Sequence, residues 1–216
     1  MTQIPKTIID KLEEGRQYRR VMEIRADGED DSKIVRGYAT TFNQPYTLWT
    51  EPGYIVQEQV DARAFDGCDM ADVIMQYDHE GRVFARITNG TLTVEPDERG
   101  LAIAADLGGT EIGRQLYEEI AGGYTDKMSF GFRVGKDRKE LVSTDADGTK
   151  TILRTIENIT KLYDVSAVSL PANDATSISA RNQGEGVIAE IKQELLAAEQ
   201  RERQKQKIKI MTEVTK

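Results

Sequence analysis

The sequence predicts a mainly β domain of the α+β class, curved towards a small barrel, with flanking helices and a helical C-terminal tail. Three observations carry that reading. From Tyr18 to about Ala175 the chain is a succession of short alternating or apolar runs broken by Gly, Asn and Asp. Helical spacing is confined to a few places. After Asn182 the composition turns to charge with one apolar stripe. The 216 residues thus divide into an N-terminal arm (1–17), one domain (18–182) and a tail (183–216).

Taken in order, residues 1–17 are polar and weakly patterned. "RRVMEIRA" and "KIVRGYATTF" read as the first strands, and "DARAFDG" as a turn or two of helix. "VIMQY" is a short apolar strand. "VFARITNGTLTVEPDERGLAIAADL" holds several strands, with turn chemistry at Thr88–Thr91 and Asp97–Gly100. "TEIGRQLYEEIAGG" spaces Ile112, Leu116 and Ile120 four apart and stops at Gly122-Gly123, a short helix. "KMSFGFRV" and "LYDVSAVSL" are the last strands. In "EGVIAEIKQELLAAEQRERQKQKIKI", Ile188, Ile191, Leu195 and Ala198 form one stripe, a solvated helix suited to docking on a partner.

Composition narrows the function. A net charge of −8 argues against a general nucleic-acid binder. No run approaches the ~18 apolar residues of a membrane span, and "MTQIPKTIID" has no signal-peptide core. One cysteine, Cys68, forms no internal disulfide, and with a single histidine the chain cannot build the common N/S zinc site. "DADG" at Asp145–Gly148 has a calcium-like look but lacks the closing Glu, and reads as a hairpin turn. No metal or cofactor is expected. Cys68 reads as a half-buried thiol, and Tyr38 and Trp49 as core or rim aromatics.

Three reactive residues remain. His79, the only histidine, follows the apolar strand "VIMQY", sharing a face with Val73, Met75 and Tyr77 where the chain leaves the sheet. In "KMSFGFRV", Met128, Phe130, Phe132 and Val134 define a core face. Ser129 points to the other, beside Gly131, which leaves the backbone open to a ligand. In "LYDVSAVSL", alternation sets Tyr163, Val165 and Ala167 on one face and Leu162, Asp164, Ser166 and Val168 on the other; a carboxylate in so apolar a strand needs a partner. Serine, histidine and acid are the parts of a nucleophilic hydrolase, but such sites are recognised by geometry, and G-x-S-x-G is absent.

Four segments in order, "RGYATTFNQPY", "VIMQYDHEGRVFARI", "KMSFGFRV" and "LYDVSAVSLPAND", together with "ERGLAIAADL", resemble the prohead (capsid maturation) proteases of tailed phages. The likeness covers roughly Tyr18 to Asn173, and the family's fold is similar to that of the herpesvirus assembly proteases. It implies a serine endopeptidase with His79 as base and Ser129 as nucleophile. Asp164 is the implied third member, with Glu157 in "TIENIT" as the fallback and a Ser-His dyad as the remaining option. The implied substrate is the scaffolding segment of the major capsid protein, and commonly the protease itself, inside the immature prohead in the host cytoplasm. Further copies of the chain are a candidate partner; nucleic acid and membrane are not. The rival reading is a non-catalytic β-rich head assembly or adaptor protein, which keeps the fold but has no need for Ser129 to meet His79. A small-ligand β-barrel has no convergent polar cluster behind it.

Overall fold

Two long strands, Lys127–Thr144 and Lys150–Val168, form one antiparallel hairpin around which the remaining chain is arranged. The computed structural model describes residues 15–26, 32–168 and 174–214. In chain order the strands are β1 (Gln17–Ala26), β2 (Ile34–Thr41), β3 (Tyr46–Glu51), β4 (Tyr54–Val60), β5 (Ile74–Tyr77), β6 (Glu80–Arg86), β7 (Leu92–Pro96) and β8 (Gly100–Asp106). The long pair are β9 and β10. The helices are α1 (Glu111–Ala121) and α2 (Asp174–Val214). Of the expected N-terminal arm, residues 1–14 lie outside the described residues.

The molecule is mainly β with helices, as the sequence predicts, but its sheet is not closed into a barrel. The strands run β3-β4-β10-β9-β1-β2-β8-β7, with β5 and β6 branching from β10. The reason is the length of β10. Its first half pairs in parallel with β4 and its second half with β5, so the sheet forks there and no ladder joins its ends.

Turn chemistry falls where polar residues announced it. Asp97 Oδ1 accepts from the backbone N–H groups of Arg99 and Gly100 between β7 and β8. "DADG" is the β9–β10 turn, closed by Asp145 N–H to the carbonyl of Thr149 at 2.8 Å. Helix α1 starts at Thr110, whose hydroxyl accepts from Gly113 N–H at 3.0 Å, and ends at Gly122. "DARAFDG" forms successive four-residue β-turns rather than helix, with Ala64 and Phe65 buried.

The sequence reading misses three features. β3 and β4 form a hairpin around Pro52-Gly53. β9 and β10 run far beyond "KMSFGFRV" and "LYDVSAVSL", because long charged residues coat their outer portions and obscure the alternation. The C-terminal helix begins before the predicted tail, and its stretch from Gly184 to Ile191 docks on the protein's own sheet. Val187, Ile188 and Ile191 are buried with Leu48, Val56 and Ile152 in a second hydrophobic cluster. At Gly184 a Cβ would stand 2.3 Å from Cβ of Trp49, so this close approach requires glycine. The stripe read as a partner surface is thus partly intramolecular.

A buried ionic cluster ties β1, β4, β9 and β10 together. Glu58, fully buried, accepts from Arg19 Nε at 2.5 Å and Nη2 at 3.0 Å, from Arg154 Nη1 at 2.5 Å and from the Tyr46 hydroxyl at 2.5 Å. Arg154 also reaches Asp137, 2.5 Å away. Burial alone would push the Glu58 carboxyl up, but the two guanidiniums prevail and hold it at about 2.

Candidate active site

His79 sits in a two-residue turn. β5 ends at Tyr77, β6 begins at Glu80, and these two residues pair across the turn. Asp78 and His79 between them have φ of +47° and +63°, the pattern of a type I′ hairpin. Left-handed backbone is costly for a histidine, and such strain persists only where the surroundings fix it. Here Asp78 N–H donates to the carbonyl of Ala167 on β10 at 2.9 Å, which pins the turn to the sheet. The imidazole, 1 % exposed, thereby lies over the sheet instead of continuing the face of β5.

Ser129 lies on β9 directly opposite Ser166 of β10 and Arg20 of β1. Met128, Phe130 and Phe132 join the main core, as the alternation predicts. Ser129 faces away from them, yet it is also fully buried, because this second face of the sheet is covered too. The serine expected to point away from the main core does so, and is enclosed there.

Asp164 owes its position to a β-bulge. Leu162 pairs with Phe132 and Asp164 with Gly131, leaving Tyr163 as the extra residue. The bulge breaks strict alternation: Leu162 joins Val165 and Ala167 in the main core, not the face of Asp164. Asp164 and Ser166 remain on the Ser129 face. Gly131 gives this acid its space. A Cβ there would meet Asp164 Oδ2 at 2.3 Å and Tyr18 Cε1 at 2.9 Å. The room beside Gly131 is filled by the protein's own carboxylate and is not open to a ligand.

These elements bring the three predicted residues into one line. The Ser129 hydroxyl lies 2.6 Å from His79 Nε2, and His79 Nδ1 makes a short hydrogen bond to Asp164 Oδ1. The Ser166 hydroxyl donates to the same Oδ1 at 2.8 Å. Arg16 Nη1 stands 3.7 Å from Asp164 Oδ2, its guanidinium stacked 3.7 Å from the Tyr163 ring centre. The Tyr18 ring packs on the imidazole at 4.4 Å between centroids. Sequence reasoning had not singled out Tyr18, Ser166 or Arg16; an alternating "DVS" beside a candidate acid is the only signal that pointed to Ser166.

Electrostatics favour a charged acid. Burial pushes the Asp164 carboxyl up, but the His79 ring, the Ser166 hydroxyl and Arg16 outweigh it and hold the group below the usual aspartate value. Burial and the neighbouring Asp164 charge raise the Tyr18 phenol to about 12, so it stays protonated. The other candidates fall elsewhere. Glu157 pairs with Lys136 at 2.7 Å and Arg138 at 3.3 Å on the long hairpin. Burial raises the half-buried Cys68 thiol to about 11, which makes it a poor nucleophile. Tyr38 hydrogen-bonds Asp97 at 2.7 Å, and Trp49 packs against the second cluster. Among the described residues no cluster of three metal-ligating side chains occurs, and no helix is long and apolar enough to cross a membrane.

A nucleophile within hydrogen-bond reach of a base, itself oriented by a carboxylate, can activate a hydroxyl for attack on a carbonyl. No curated protein and no solved structure matches the sequence. The family model described as caudovirus prohead serine protease matches residues 20–189, the greater part of the chain, including His79, Ser129 and Asp164. The chain belongs to the family of caudovirus prohead serine proteases.

Proposed function

We propose that the protein is a serine endopeptidase with Ser129 as nucleophile, His79 as general base and Asp164 as the orienting acid. The observation that carries this is the unbroken chain of contacts from the Ser129 hydroxyl through both ring nitrogens of His79 to Asp164. On attack, the Ser129 Oγ–H proton passes to His79 Nε2 while Oγ bonds to the substrate carbonyl carbon. Asp164, accepting from Nδ1–H, keeps Nε2 free as acceptor and stabilises the imidazolium. Collapse of the tetrahedral intermediate breaks the C–N bond, and His79 returns the proton to the departing amine. Water then repeats the sequence on the acyl-enzyme.

The substrate is the scaffolding segment of the major capsid protein, and the protease's own chain is a second one, both met inside the immature prohead. Membership of the family supports the capsid substrate. Residues 18–182 are the catalytic unit. Helix α2, docked through Val187, Ile188 and Ile191 and exposed at most of its described later positions, is the segment that joins the unit to scaffold or shell. The burial of Ser129 and His79 makes the described conformation a closed one. Tyr18 against His79 and Arg16 near Asp164 place the start of β1 over the site, and substrate enters when that segment moves.

Co-expression with the capsid precursor tests the proposal. Ser129→Ala and His79→Ala proteins should be folded and leave the precursor intact, while wild type trims it. Normal trimming by a folded Ser129→Ala protein would leave the assembly-protein alternative standing.

A further inference from the structure

Beside the turn that carries His79 lies a cavity of about 600 Å³, which the three catalytic candidates do not line. Its floor is apolar: Tyr77 and Phe84 from the β5–β6 hairpin face Ile112 and Leu116 of α1. Its polar lining is mainly acidic, with Asp78, Glu80 and Glu119 against one cation, Arg82. Each wall is a regular element. Glu80, Arg82 and Phe84 are alternate residues of β6, while Ile112, Gln115, Leu116 and Glu119 follow the spacing of one helix face.

Two features fit this cleft to an extended peptide. Among the described residues β6 pairs with β5 alone, so its other edge has no strand partner. A peptide laid along such an edge gains main-chain hydrogen bonds and sends alternate side chains into adjoining pockets. The cleft is also lined by Asp78 and Glu80, the residues on either side of His79, so a peptide in it lies against the turn that carries His79.

The lining selects the side chain. A glutamate would meet like charge, and a purely aliphatic residue would fill the floor without reaching the acids. Lysine or arginine satisfies both, with a stem along Tyr77, Phe84 and Leu116 and a cationic head among the carboxylates.

We propose that the cleft between β6 and α1 is the substrate subsite: it holds an extended peptide and seats a Lys or Arg side chain near the scissile bond. This rests on the peptidase reading above.

Binding separates the two claims. Fluorescent eight-residue peptides, randomised except for one fixed position carrying Lys, norleucine or Glu, are titrated against full-length Ser129→Ala protein. At one position Lys should bind at least tenfold tighter than norleucine, with Glu weakest. Glu119 is exposed on α1, so Glu119→Lys preserves the fold and should cut the Lys-over-Glu ratio at least tenfold by reversing the charge. The absence of a Lys preference at every position, or a preference that survives Glu119→Lys unchanged, overturns the proposal. Labelling of wild-type Ser129 by a phosphonylating reagent is scored separately. Normal labelling without Lys selectivity counts against the cleft alone; Lys-selective binding without labelling counts against the peptidase alone.

Discussion

The Asp164 carboxylate rests against Gly131: a Cβ on that glycine would stand 2.3 Å from Oδ2. The acid hydrogen-bonded to His79 is therefore seated at Gly131, the position between Phe130 and Phe132 where β9 carries no side chain. Gly131→Ala should push the carboxylate off the imidazole, since Tyr18 blocks the alternative side at 2.9 Å. A displacement of about 1 Å in such a constellation costs on the order of 10²-fold in rate. Peptide cleavage with a parallel thermal melt checks this; a folded Gly131→Ala enzyme with wild-type kcat would show that the carboxylate has room to spare.

Asp164 and Glu157 make a matched pair. Asp164→Asn keeps the shape but favours the wrong tautomer of His79, and should lower kcat on the order of 10⁴, about 5 kcal/mol of transition-state stabilisation. Glu157→Gln removes a partly exposed partner of Lys136 and Arg138 and should change kcat less than about twofold. Mild losses in both variants would mean that Ser129 and His79 act as a dyad.

The residue types that the structure brings together were legible in the sequence because His79 has no competitor and because "SFGF" and "YDVSAVS" place a polar group in an apolar strand. The means of assembling them were not. Alternation carries no sign of the bulge at Tyr163, which returns Leu162 to the core while keeping Asp164 opposite it. Nor does "YDHE" advertise a left-handed turn, since neither central residue is glycine. Gly131 looked like space for a ligand, because nothing local reveals what a strand nineteen or more positions away will put there. The Arg19–Glu58–Arg154 cluster escaped for the same reason: each member has the appearance of a surface charge until strands distant in sequence bury it.

That cluster sets the acid stability. The Glu58 carboxyl is held at about 2 in the folded protein against an ordinary value of 4.5, and Asp164 is shifted the same way. Both are depressed, so the stability they contribute is present above the ordinary carboxylate range and is lost as pH falls towards 2. Circular dichroism should show cooperative unfolding between about pH 4.5 and pH 2. Glu58→Gln leaves two buried guanidiniums without their shared anion and should cost about 3–5 kcal/mol at neutral pH in urea titrations. Wild-type stability in that variant would remove the cluster from the account of the fold.

The enclosed site predicts a kinetic signature. With Ser129 fully buried and His79 1 % exposed, a phosphonylating reagent reaches the serine only after the site opens. The observed labelling rate should rise and then saturate with reagent concentration, the plateau being the opening rate. A strictly linear dependence, at concentrations far beyond those that half-saturate peptide cleavage, would mean that the site is open in solution.

The most direct measurement is the site and histidine dependence of that label. Mass spectrometry of proteolytic fragments should find one phosphonyl adduct per wild-type chain, on Ser129, with labelling of folded His79→Ala protein slowed by at least 10³-fold, as expected when a nucleophile loses its base. An adduct on Ser166 or Ser169, or labelling of Ser129 at equal rates with and without His79, would contradict the assignment of Ser129 and His79 as nucleophile and base.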